Sequence, residues 1–262
     1  MTQSPDEPSP EPGKKWYARA TTWVTAAVLA GAAAFVSDGV AQLLTAGVGR
    51  AGRGPPITVV AQKVKDCPFS YVVAGPLDEI PPPPSIETAP IGSREQWARR
   101  VNGVDGGSTQ VEVTVTGATD RAVVLQGLDV EVTARKEPLD AIEVHAVCGD
   151  LVPIRYMIVD LDQRPPTITA SVDDRSLAPD ASEAVNKPVT FPYRVSRSEP
   201  EVFSIYAQTR ACQCAWRARL RWVSGDESGD YIIDDDEKPF ITHGTEGLTS
   251  YVSNFGEPLA PQ

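Results

Sequence analysis

The stretch Thr109 to Gly117 reads TQVEVTVTG, and its alternation sets Val111, Val113 and Val115 on one face and Glu112, Thr114 and Thr116 on the other. Successive side chains of a strand point to opposite faces, so a period of two marks a half-buried β-strand. Working outward, similar runs recur between turn signals: ITVVAQKV from Ile57, RAVVLQGLDVEVTAR from Arg121, AIEVHAV from Ala141 and PIRYMIVDL from Pro153. PTITASV from Pro166, PVTFPYRV from Pro188, EVFSIYAQ from Glu201, AWRARLRWV from Ala215 and YII from Tyr231 follow. About ten short strands predict a mainly β fold, an antiparallel β-sandwich of immunoglobulin-like or related type spanning 57–245.

One short helix interrupts the pattern. In SREQWARRVNG, Ser93 serves as N-cap with Gln96 three residues on, Asn102-Gly103 is a natural stop, and Trp97 and Val101 share a face. Before it, the Pro-rich loop 76–90 contains four consecutive prolines and supports neither helix nor ladder. It reads as a stiff spacer, with docking into an aromatic groove as the alternative.

The 262 residues carry 24 Lys and Arg against 35 Asp and Glu, a net charge of −11. Such a balance argues against nucleic acid as a partner, because phosphate binding needs a basic surface. The charge is unevenly placed: within 1–50, Lys14, Lys15, Arg19 and Arg50 cancel Asp6, Glu7, Glu11 and Asp38. From Ala20 to Ser37 no residue is charged, and the apolar character continues past Asp38, which predicts a transmembrane anchor helix over 16–48. Lys14, Lys15 and Arg19 precede it, so the disordered tail 1–15 is cytoplasmic and everything after the linker 49–56 is extracytoplasmic at the cell membrane. Secretion after signal cleavage near Ala32-Ala33-Ala34 is the alternative. Gly47, Gly49 and Gly52 have dinucleotide-loop spacing but follow no strand and lead into prolines, so no cofactor is expected. Residues 246–262 read as a flexible C-terminal tail.

Cys67, Cys148, Cys212 and Cys214 all follow the anchor, and an even count outside the cytoplasm reads as two disulfides. In ACQCAWRARLRWV, the two later cysteines share a parity with Trp216, Ala218, Leu220 and Trp222, the core face of a strand. Same-face neighbours on an extended strand lie near the limit for bridging, so Cys67 and Cys148 are expected to pair with Cys212 and Cys214 in an order left open. The opposite parity holds Arg217, Arg219 and Arg221, a candidate anion-binding stripe. A hairpin at SGDESG would instead neutralise it: with Val223 facing Asp230, Arg219 meets Asp234 and Arg217 meets Asp236, leaving Arg221 over. Asp234, Asp235 and Asp236 form a candidate metal site, although three consecutive acids on a strand converge only at a bend.

No nucleophile elbow, zinc-helix motif or phosphate loop occurs, so the chain reads as a non-enzyme; His145 and His243 are the only bases for a hydrolase alternative. With FPYRVSRSEPEVF at Phe191–Phe203, C-x-C-x-W at Cys212–Trp216 and IDDDEKPFITHG at Ile233–Gly244, the chain resembles a family of uncharacterised actinobacterial single-pass membrane-anchored proteins with a β-rich outer domain. The resemblance implies an anchor and paired cysteines, and it carries no activity. Together these readings predict an interaction or sensing module of the cell envelope, held to the membrane by its N-terminal helix and binding a protein or an envelope ligand. A hydrolase or a purely structural envelope protein are the alternatives.

Overall fold

Alternating apolar runs become strands because each buries one row of side chains and pairs its backbone laterally. The computed structural model describes residues 55–64, 69–85, 87–90, 92–137, 140–146, 155–172, 188–253 and 259–261. In chain order these form β1 (Ile57–Lys63), β2 (Phe69–Ala74), α1 (Ser93–Arg100), β3 (Val104–Gly106), β4 (Ser108–Gly117) and β5 (Val123–Lys136). They continue with β6 (Ala141–Ala146), β7 (Arg155–Asp160), β8 (Thr167–Val172), β9 (Tyr193–Val195) and β10 (Glu201–Gln208). The last are β11 (Gln213–Ser224), β12 (Glu227–Ile233), β13 (Phe240–His243), β14 (Thr249–Val252) and β15 (Ala260–Pro261).

The protein is mainly β. One sheet has the order β1-β4-β10-β7-β8; the other runs β15-β14-β6-β2-β3-β13-β11-β5-β9, with β12 also on β11. The expected all-antiparallel arrangement is corrected, since β7 with β10, β3 with β13 and β6 with β14 are parallel pairs. Each of these joins strands distant in sequence, so no hairpin turn dictates their direction. The flexible tail expected at 246–262 is likewise corrected, because β14 pairs with β6, and β15 with β14. The anchor expected at 16–48 lies outside the described residues, as do the tail 1–15 and most of the linker 49–56. Among the described residues no helix is long and apolar enough to cross a membrane.

One apolar cluster draws on both sheets: Val111, Val113, Val115, Phe203 and Ile205 from the first, and Leu125, Trp216 and Leu220 from the second, all fully buried. β11 is its longest wall. Cys214, Trp216, Ala218, Leu220 and Trp222 alternate inward, and β5 follows it with two register shifts. Trp216 donates Nε1–H to Thr242 Oγ1 at 2.9 Å, which satisfies its polar atom inside the core.

A second cluster forms where α1 covers β2 and β6, with Trp97, Ala98, Phe69, Tyr71, Val73 and Val144 buried. The helix cap differs from expectation: Gly92 occupies the N-cap at φ 84°, a left-handed conformation suited to glycine. Ser93 is the first helical residue and donates its hydroxyl to Pro90 O at 2.5 Å. Asn102 takes φ 52° just past the helix, and Gly103 N–H bonds Ala98 O at 2.7 Å, as a glycine-type stop requires. The tetraproline is not a free ligand. Trp97 Nε1–H holds Pro81 O at 2.8 Å and Arg94 Nε–H holds Pro84 O at 3.0 Å, while the Arg94 guanidinium stacks 4.4 Å above the Phe69 ring.

Candidate functional site

Strand β6 runs between β2 and β14, with Ser70 opposite His145 on one side and Ser250 opposite Glu143 on the other. Glu143 and His145 are two apart and so share a face, and the pairing brings both serines to that face. Ser70 donates its hydroxyl to Glu143 Oε1 at 2.7 Å, and Ser250 donates to Oε2 at 3.0 Å. Ser250 Oγ also lies 2.9 Å from His145 Nδ1. An ionised carboxylate only accepts, so the single Ser250 proton points to Glu143 and the hydroxyl oxygen accepts from His145 Nδ1–H. In that His145 tautomer the protons run from imidazole to serine to glutamate. Gly106 crowds this network, because a β-carbon there would collide with the Ser70 hydroxyl.

These groups line a cleft of about 430 Å³, whose other side is built from β1 and β4. Lys63 Nζ reaches Asp105 Oδ1 and Oδ2 at 3.2 and 3.1 Å, and Thr109 donates to Oδ2 at 2.8 Å. Burial pushes the Asp105 carboxyl up from its ordinary value, opposed by the Lys63 charge and the Thr109 hydroxyl. Gln110 and Tyr206 complete the polar wall. Ser108 and Tyr206 also line an adjoining cavity of about 450 Å³ that contains Asp160, Asp162, Thr209 and Arg210. Burial tends to raise the Asp162 carboxyl, but Thr209, the backbone N–H groups of Arg210 and Ala211 and the Arg210 charge outweigh it and hold it below the usual range.

Of the residues singled out from sequence, His145 lies in the cleft and His243 does not. His243 is fully buried, with Nδ1 2.6 Å from Gly244 O. The arginine stripe is neutralised, but by partners other than those expected. The hairpin turn is only Gly225-Asp226, so the pairing slips by two residues and Arg221 faces Asp230 while Arg219 faces Ile232. A slip of two keeps every side chain on its face. Arg217 Nε approaches Asp234 at 3.4 Å, Arg219 lies 3.6 Å from Glu131 and 4.0 Å from Asp230, and Arg221 reaches Asp129 at 2.8 Å. Asp234 also accepts the Glu237 N–H at 3.0 Å, while Asp235 forms a turn bridge to Lys238 and Asp236 sits at φ 52°. Among the described residues no three His, Cys, Asp or Glu side chains could hold a metal ion.

The cysteine pairing is a correction: Cys212 bonds Cys214 directly, at a Cα–Cα separation of 5.4 Å. Cys212 precedes the first residue of β11 and follows a bend at Arg210-Ala211, where its N–H meets Thr209 Oγ1 at 3.3 Å, so the two cysteines are closer than full extension allows. Cys67 and Cys148 lie outside the described residues. Closing a loop of about three residues restricts the unfolded chain little, worth roughly 1.6 kcal/mol against about 3 for fifteen residues. Arg135 Nη1 lies 3.3 Å from Cys214 Sγ and 3.8 Å from Cys212 Sγ.

Sequence reasoning missed Ser70, Ser250, Glu143, Lys63 and Asp105. A signal existed: the tripeptide Ser-Tyr-Val occurs at 70–72 and again at 250–252, on the two strands that flank β6. Comparison with family profiles, curated proteins and solved structures gives no match.

Proposed function

We propose that this chain is an envelope binding module held to the membrane by its N-terminal segment, that its two sheets pack as a sandwich, and that it takes a neutral, hydroxyl-rich ligand in the cleft. The observation that carries the reading is the Ser70–Glu143–Ser250–His145 network lining a concavity rather than the core. Charge in the cleft is already paired, Lys63 with Asp105 and Glu143 with two hydroxyls, so an ionic ligand gains little there. Serine hydroxyls, an amide, a phenol and an imidazole both donate and accept, which suits the hydroxyls of a sugar. Lying outside the membrane fits the uncharged run at 20–37 and the flanking Lys14, Lys15 and Arg19.

The test is thermal-shift titration of the detergent-purified full chain with neutral oligosaccharides released from the cell wall. Stabilisation that is lost in Ser250→Ala and His145→Ala supports the reading; no shift with any fraction rejects it. A second reading, a hydrolase with Ser250 as nucleophile and His145 as base, rests on their 2.9 Å contact. Against it stands the position of Glu143, which bonds the hydroxyl where a triad carboxylate bonds the imidazole. Covalent labelling of Ser250 by a fluorophosphonate would favour the hydrolase.

A further inference from the structure

We infer that the Cys212–Cys214 pair is a reversible thiol–disulfide exchange site whose co-reactant is a dithiol. Three independent observations carry this. The bond joins residues only two apart, on a chain segment already held by β5 and β13, so it ties no distant elements together. The guanidinium of Arg135 touches both sulfurs and is itself fixed, donating Nη1–H to Leu161 O and Nη2–H to Gln163 O at 3.0 Å. The two sulfurs are unequal: Cys212 is 8% exposed and has the Thr209 hydroxyl 3.2 Å from Sγ, whereas Cys214 is fully buried beside the cation.

A fixed cation beside a sulfur favours its thiolate over its thiol, and a lower-pKa thiol leaves faster. That asymmetry assigns the direction of attack. One thiolate of the dithiol forms a bond to Cys212 Sγ, the Cys212–Cys214 bond breaks, and its electron pair stays on Cys214 as a thiolate held by Arg135. The second thiol of the co-reactant, once deprotonated, then attacks its own sulfur in the mixed disulfide and expels Cys212 as a thiolate. Two electrons pass from the dithiol, which becomes a disulfide, to the cysteine pair. The two protons of the dithiol go to Cys212 and, through solvent, to Cys214 or the bulk. Thr209 also donates to Asp162 Oδ1 at 2.6 Å in the adjoining cavity wall, so the outer sulfur lies one residue from open space.

The experiment equilibrates the native full chain in dithiothreitol redox buffers, alkylates it and follows the tryptic peptide Ala211–Arg217, which contains both cysteines and no other. The pair is expected to be reduced without denaturant. Arg135→Gln should shift the equilibrium about tenfold toward the disulfide, about 30 mV for two electrons, and Arg135→Lys should recover much of it. In the reduced wild type, the pH dependence of alkylation should place one thiol below the ordinary value of about 8.5. A pair reduced only with denaturant, or an unchanged equilibrium in folded Arg135→Gln, overturns the inference. If that variant does not fold, both thiol pKa values at or above about 8.5 in the wild type overturn it.

Discussion

Replacing Thr242 by valine removes one hydroxyl from the middle of a directed hydrogen-bond chain. Trp216 Nε1–H donates to Thr242 Oγ1 at 2.9 Å, Thr242 meets Thr109 at 2.7 Å, and Thr109 donates to Asp105 at 2.8 Å. Because the Thr109 proton is committed to the carboxylate, Thr242 donates to Thr109 and accepts from the indole. Trp216 and Thr242 are fully buried and Thr109 is 2% exposed, so no water can replace the lost acceptor. The variant leaves one buried N–H unpaired, which costs about 1–3 kcal/mol. Thr109 loses only a donor to its oxygen and keeps its bond to Asp105. Urea unfolding followed by far-ultraviolet circular dichroism measures the loss without relying on tryptophan emission. Thr242→Ser keeps the hydroxyl and should cost only its missing methyl, about 0.8 kcal/mol. In a Trp216→Phe background the Thr242→Val penalty should shrink by at least about 1 kcal/mol, since neither partner is then left unpaired. A coupling below about 0.3 kcal/mol, within ordinary additivity, would refute the chain as a unit.

Asp162 carries a pH prediction. Its folded-state pKa lies below the unfolded one, so its contribution is present above the unfolded pKa and is lost as pH falls through the folded value. Asp162→Asn should therefore be destabilised near neutrality and converge on the wild type in melting temperature as pH drops from about 5 to 3. Trp97→Phe retains an aromatic ring but gives up the bond to Pro81 O, at a cost of about 1 kcal/mol, and should speed cleavage by a glutamate-specific protease at Glu79 or Glu87. Arg221→Gln breaks its pair with Asp129, but both side chains are about half exposed, so the urea midpoint should correspond to a loss under about 1 kcal/mol.

Much of the fold was legible because burial of one face writes itself into alternation. TQVEVTVTG gives β4, and the parity of Trp216, Ala218, Leu220 and Trp222 gives the core face of β11. Where the signal was weak, strands escaped notice: FSYVVA lacks alternation, and TSYV is too short to show one. Those two strands carry Ser70 and Ser250, so the site was lost along with them.

Local chemistry determined by itself the β character, the helix at 93–100 with its stop at Asn102-Gly103, and the inward face of Cys214 on β11. It also put the three arginines on one face, which a register slip of two preserves, but not their partners: Arg219 faces Ile232 on β12, and Glu131 and Asp129 come from β5. What only the tertiary structure decided were contacts between residues far apart in the chain. The parallel pairing of β14 with β6 sets Ser250 beside Glu143 across 107 positions, and Thr109 meets Thr242 across 133. The bend before Cys212 permits a bond that an extended strand would resist. Pairings of that range have no short turn to announce them, and they form because the buried faces and backbone groups of separate strands are satisfied together.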